Sequence, residues 1–148
     1  MMKKAIAILL ILAMALSLCA CGKTAITGVE FCSRMETLGL EAYPNPDQVD
    51  GENITKAYIG GNDDLTVIFW EIVSEEKAKN GFLNSQAEAP SGMGSTSEVN
   101  APHSGFYSKK TSDECFMSAY VGSTMMVGWG TAAQYDTMKN VFETMGYK

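Results

Sequence analysis

Four cysteines, one histidine and several groups of carboxylates are the side chains of this 148-residue sequence with the chemistry of nucleophiles, bases and metal ligands. A cysteine nucleophile needs an imidazole within hydrogen-bond reach and a third group to orient that imidazole. Cys115, His103 and Asp113 supply the three types. The setting of Cys115 argues against that use, because it alternates with Met117, Ala119 and Val121 and so falls on a buried strand face, where a thiol is inert. No Gly-x-Ser-x-Gly elbow is present to support a serine hydrolase of that design. Asn62, Asp63 and Asp64, with Asp47, Asp50 and Glu52, offer oxygens to a calcium ion, but their spacing matches no calcium loop. Turn chemistry on a solvated acidic surface accounts for them. One histidine and two cysteines in separate elements form no zinc-ligand run. The sequence therefore predicts no enzyme, no metal and no cofactor.

The remaining candidates are aromatic. Trp70 on a first hairpin, Phe116 and Tyr120 on one face of a later strand, and Trp129 at the end of the next would line one side of a sheet. Left uncovered, that side is a platform for a peptide, a glycan or a partner protein. Covered by a helix, it is ordinary core.

The N-terminal residues carry chemistry of a different kind. Lys3 and Lys4 precede an apolar run from Ala5 to Leu18, the charged start and short apolar core of a secretory signal. Fourteen residues fall short of the ~20 that a membrane-crossing helix needs, so the segment reads as cleaved. Its end, Leu18-Cys19-Ala20-Cys21, resembles the bacterial lipobox, with leucine at minus three and a small residue at minus one before the cysteine. Cys19 at minus two departs from the serine, threonine or alanine usual there, but a cut before Cys19 would leave the bulky Leu18 at minus one. The resemblance implies a diacylglyceryl thioether on Cys21, and two acyl chains suffice for stable anchoring. Residues 1–20 are then the signal peptide, 21–26 a lipidated tether, and 27–148 a single domain on the extracytoplasmic side of the cell membrane.

Loss of Lys3 and Lys4 leaves nine basic side chains against seventeen acidic ones, a balance of −8. A chain so acidic lacks the basic footprint that nucleic acid requires, and it has no polybasic cluster for anionic lipid headgroups. Anchoring falls to the lipid. With Cys19 removed and Cys21 acylated, Cys32 and Cys115 remain, an even pair that permits a disulfide in an exported domain and equally suits two buried free thiols.

The elements that must position these residues follow from periodicity and punctuation. Thr27 and Glu30 make a capping box ahead of Phe31, Cys32, Met35 and Leu38, one buried helical face that Gly39 terminates. Tyr43-Pro44-Asn45-Pro46 reads as a turn. Residues 54–59 and 65–73 read as a hairpin joined through Gly60 to Asp64, the second strand apolar on both faces as in a central strand. Ser74 caps a helix that starts with Glu75 and Glu76 and buries Ala78 and Phe82, although Gly81 weakens it by about 1 kcal/mol relative to alanine. Residues 87–104, rich in serine, glycine and proline, read as a mobile loop. Residues 105–111, 114–121 and 124–129 give three more strands, and a last helix presents Tyr135, Met138, Val141, Phe142 and Met145 before Gly146. The expected fold is α+β: an antiparallel sheet of about five strands with three helices, in the order α-β-β-α-β-β-β-α. Phe31, Met35, Phe69, Met117, Phe142 and Met145 are expected in one core.

The lipobox, the phenylalanine-bearing first helix with its glycine ending, the acidic start of the middle helix and the Gly-Tyr ending of the last resemble small uncharacterised lipoproteins of Gram-positive bacteria. That resemblance implies an envelope location and brings no activity. The function expected is a non-enzymatic module that binds an envelope protein or a small ligand, with a structural or accessory envelope role as the alternative.

Overall fold

A computed structural model of the protein describes residues 22–148, so the signal segment and Cys21 lie outside the described residues. Thr27 opens the first helix, α1 (Gly28–Thr37), by the predicted capping box. Its hydroxyl accepts from the Glu30 amide at 3.3 Å, and the Glu30 carboxylate accepts from the Thr27 amide at 2.8 Å. Gly39, at φ 74°, turns the chain out of the helix. Then follow β1 (Glu41–Pro44), β2 (Ile54–Asn62), β3 (Leu65–Ile72), α2 (Glu75–Ser85), β4 (Ser95–Ala101), β5 (Ser104–Lys110), β6 (Glu114–Val121), β7 (Thr124–Thr131) and α3 (Tyr135–Thr144).

The strands form one antiparallel sheet in the order β1-β2-β3-β7-β6-β5-β4. Two meanders meet where β3 pairs with β7, and α2 carries the chain from the centre to the far edge. The expected five strands and their order are thus corrected to seven, α-β-β-β-α-β-β-β-β-α. Both additional strands are edges. β1 pairs through Glu41 with Gly61 to Pro44 with Tyr58, and its proline is tolerable because an edge strand need not donate every N–H. β4 is exposed along its whole length yet pairs with β5 from Ser95–Lys110 to Ala101–Ser104, so part of the expected mobile loop is a strand. Backbone pairing requires no apolar alternation, which is why neither strand announces itself in the sequence.

The first hairpin also turns more tightly than expected, since Gly60 and Gly61 belong to β2 rather than to the loop. A Cβ on Gly60 would lie 2.7 Å from the Glu41 carbonyl oxygen and 2.8 Å from Met35 Cε, so the bare glycine lets β1 and α1 close on the sheet.

One sheet face is covered by α1 and α3. Phe31, Met35, Phe69, Met117, Phe142 and Met145 are fully buried in one cluster there, as the periodicity predicts. Ile26 joins them, and the Lys23 ammonium donates to the Tyr147 carbonyl at 3.1 Å, so residues expected as a free tether are built into the fold. The opposite face is covered by α2, which packs Ala78 and Phe82 over Phe116, Tyr120, Met125 and Val127. Gly81 has its reason here: a Cβ would lie 3.0 Å from Met125 Sδ, and its absence seats the helix close to the sheet. Among the described residues no helix is long and apolar enough to cross a membrane.

Candidate functional site

Strand register puts the four predicted aromatics on one face. Trp70 stands opposite Met125, Met125 opposite Tyr120, and Trp129 opposite Phe116, and residues directly opposite in antiparallel strands point to the same side. The face is the one under α2. Phe82 packs on Tyr120 with ring centroids 5.3 Å apart, and the Ser85 and Ser118 hydroxyls meet at 2.6 Å. Phe116 is sealed edge-to-face between Tyr107 and Trp129. Burial raises the Tyr120 phenol above its usual pKa, with the nearby Glu75 charge adding to the effect. Phe116 and Tyr120 are therefore ordinary core, the helix-covered alternative, and what stays open on this face is two separate clefts. The two indoles stay half-buried, and each lines one of them.

The Trp70 cleft, about 460 Å³, lies between α2, the end of β3 and the loop at residues 50–54. Ile54, Ile72, Met125 and the indole make it apolar; Asp50, Asn53, Lys77, Asn80 and Asn84 form its polar rim. The Trp70 indole N–H donates to Gln48 Oε1 at 2.9 Å, which fixes the ring plane. Asp50 Oδ1 accepts the amides of Glu52, Asn53 and Ile54 at 3.0, 2.7 and 2.7 Å, and its Oδ2 accepts from Asn53 Nδ2 at 3.0 Å. The Ile54 and Asn53 amide bonds above all hold this carboxyl down to about 2. The Lys77 ammonium donates to the Asn53 side-chain oxygen and reaches the Glu52 carbonyl. Asn80 and Asn84 have no side-chain partner among the described residues.

The Trp129 cleft, about 560 Å³, opens at the other end of the sheet. Among the described residues, its walls carry Asp63, Asp64, Glu88, Asp113 and Glu114 and no lysine or arginine. Cys115 also lines it, but the thiol is 2% exposed, donates to the Thr131 carbonyl at 3.1 Å, and has its pKa raised by desolvation. It is a protonated, unreactive thiol.

The other candidates separate. Cys32 and Cys115 are both free thiols, so the disulfide that their even number permits is not formed. His103 sits in the β4–β5 turn, beyond Ser104 and Val121, whereas Cys115 pairs with Lys110 at the opposite end of the same strands. Its imidazole instead meets Glu75 at 2.8 Å. Asp50 is a loop cap, and Asn62 Oδ1 accepts from the Asp64 amide at 2.9 Å, so turn chemistry occupies these two of the residues weighed as calcium ligands. Among the described residues no group of three or more histidine, cysteine, aspartate or glutamate side chains is placed to hold a metal ion. The rim residues Asn53, Lys77, Asn80 and Asn84, and Gln48 that holds the indole, had no place among the candidate ligand-binding residues. Asn80 and Asn84, four apart on α2, share one helix face, which was the available signal.

No family model and no curated protein sequence matches the chain. In structure the chain is similar to a GTP-binding regulator from Thermotoga maritima, with a TM-score of 0.53 and 11% identity, over 82% of this chain and 88% of that one. At that identity the likeness is one of fold.

Proposed function

We propose that the mature protein is a lipid-anchored, non-enzymatic binding module on the extracytoplasmic side of the cell membrane, and that it takes its ligand on the tryptophan-bearing sheet face. One observation carries this reading. Of the four aromatics aligned there, two are sealed under α2 while both indoles remain half-buried beside open clefts. Concave sites with an aromatic wall and a few polar groups are where small ligands bind, and tryptophan is prominent among interface anchors.

The structural neighbour is a GTP-binding regulator, and the chemistry of the two clefts argues against a nucleotide here. Phosphates are held by helix N-termini, backbone N–H nests and cations. The N-terminus of α2 carries Glu75 and Glu76, and the larger cleft carries five carboxylates. A triphosphate would meet repulsion at either place.

The lipobox supports anchoring through Cys21, and the fold sets what such an anchor would do. Ile26 is buried and the ammonium of the exposed Lys23 is bonded to the Tyr147 carbonyl, leaving only Gly22 between these tied residues and Cys21. The domain would ride close against the bilayer. Gly122, in the β6–β7 turn, lies beside Ala25, and the Ile72 amide donates to the Ser123 carbonyl. The Trp70 cleft therefore faces the anchored end and the Trp129 cleft the distal end.

The test is iodide quenching of the single-tryptophan variants Trp70→Phe and Trp129→Phe, followed by pull-down of the intact lipoprotein from its own membrane. Both remaining indoles should quench to an extent between core and free tryptophan, and Trp70→Ala/Trp129→Ala protein should lose what the wild type captures. Indoles as shielded as core residues, with capture unchanged in the double variant, would move the accessory role ahead.

A further inference from the structure

We infer that the Trp70 cleft is a saccharide site that takes a neutral or N-acetylated hexose unit; this rests on reading the tryptophan face as a recognition surface. The charged groups at the rim are already committed to the protein. Asp50 spends both oxygens on three backbone amides and the Asn53 carboxamide, and Lys77 is held by Asn53 and the Glu52 carbonyl. The Asn53 carboxamide bridges the two opposite charges, so a ligand bearing net charge gains little. The groups left free are the carboxamides of Asn80 and Asn84, exposed and one helical turn apart on the same face of α2. A carboxamide both donates and accepts, as a hydroxyl does, so a pair of them matches a ring of hydroxyls better than it matches an ion.

The apolar wall completes the match. A hexose ring turns a patch of C–H bonds outward, and these carry the partial positive charge that the negative face of an indole attracts. The Trp70 indole lines the cleft, and the bond from its N–H to Gln48 fixes the ring plane before binding. Such preorganisation lowers the ordering cost of association. The volume of about 460 Å³ lies within the ~300–1,000 Å³ of small-ligand sites. An extended peptide has no free backbone to pair with here, since β3 is bonded to β2 on one side and β7 on the other.

The experiment titrates the detergent-solubilised full-length lipoprotein with chitobiose, cellobiose and, as the charged comparison, GTP, following tryptophan emission. The disaccharides should give a saturable change that persists in Trp129→Phe and is absent in Trp70→Phe. Asn80→Ala/Asn84→Ala, at two exposed positions, should keep the wild-type melting curve and bind about tenfold more weakly, the loss of two ordinary hydrogen bonds. No saturable response to either disaccharide at millimolar concentration, or affinity unchanged in the asparagine variant, overturns the saccharide assignment. The membrane pull-down separates this from the broader reading: capture that depends on the tryptophans while sugars fail removes only the ligand class, and capture indifferent to them removes the recognition surface and the saccharide site together.

Discussion

Tyr147 is the residue whose sequence context says least and whose burial says most. It stands second from the end, yet it is fully buried, with its hydroxyl against Thr124 Oγ1 and its ring edge-on to Phe69. Burial pushes the phenol above its usual 10, and the Thr124 hydrogen bond only partly offsets that. A raised folded-state pKa gives stability that is complete below pH 10 and is lost as the pH climbs further. Denaturant midpoints should therefore fall above pH 10 more steeply in wild type than in Tyr147→Phe. At neutral pH that variant should cost about 1 kcal/mol for the lost hydrogen bond. Asp50 runs the other way. Its carboxyl is lowered from 3.8 to about 2, so the ordering it gives the 50–54 loop is present above pH 3.8 and lost as the pH falls towards 2. Amide chemical shifts of Asn53 and Ile54 should report a single titration in that window, and Asp50→Asn should abolish it.

At the scale of elements, α3 is legible because its apolar residues recur at helical spacing, and it lands where that spacing requires. Phe142 is fully buried with its ring edge-on to Phe106, centroids 6.0 Å apart. Phe142→Ala should cost ~3–5 kcal/mol, against ~5–15 for a whole domain, and lower the melting temperature by many degrees. An unchanged calorimetric trace would remove the helix from the core. β4 is the opposite case. Its Ser-Thr-Ser-Glu-Val-Asn-Ala has the composition of a loop, and only the partner strand makes it a strand. As an edge it bonds on one side, so amide exchange should show alternating protection across residues 95–101. Uniformly fast exchange would return the segment to a loop.

For the whole molecule, topology decides which residues can cooperate. His103 and Cys115 are twelve positions apart in sequence but occupy opposite ends of the β5–β6 hairpin, so no local motion makes them a nucleophile and its base. The same geometry puts the two tryptophans at opposite ends of the β3–β7 pair, where α2 divides their shared face. The anchor is tested at this scale as well. Mass spectrometry of membrane-extracted protein should find residues 1–20 removed and lipid on Cys21, and Cys21→Ala should block that processing and membrane attachment by the lipid.

Both ends of α1, the start of α2, the end of α3, the strands read at 65–73 and 114–121, and six members of the main core are legible in the chain without its fold. These are written in local terms: the Thr27–Glu30 cap, a glycine after the last helical turn, and apolar residues at a period of two or near 3.6. Alternation also sets Phe116 and Tyr120 on one face of their strand; that Trp70 and Trp129 share it follows from the register of β3, β7 and β6. The two edge strands emerge only on folding, because their pairing is between backbones and leaves no side-chain pattern. Only folding decides where α2 lies across the aromatic face, which separates two core rings from two cleft tryptophans and brings Asn80 and Asn84 to the rim of one cleft. Position across a sheet depends on which distant segment packs there, and that information belongs to no single stretch of chain.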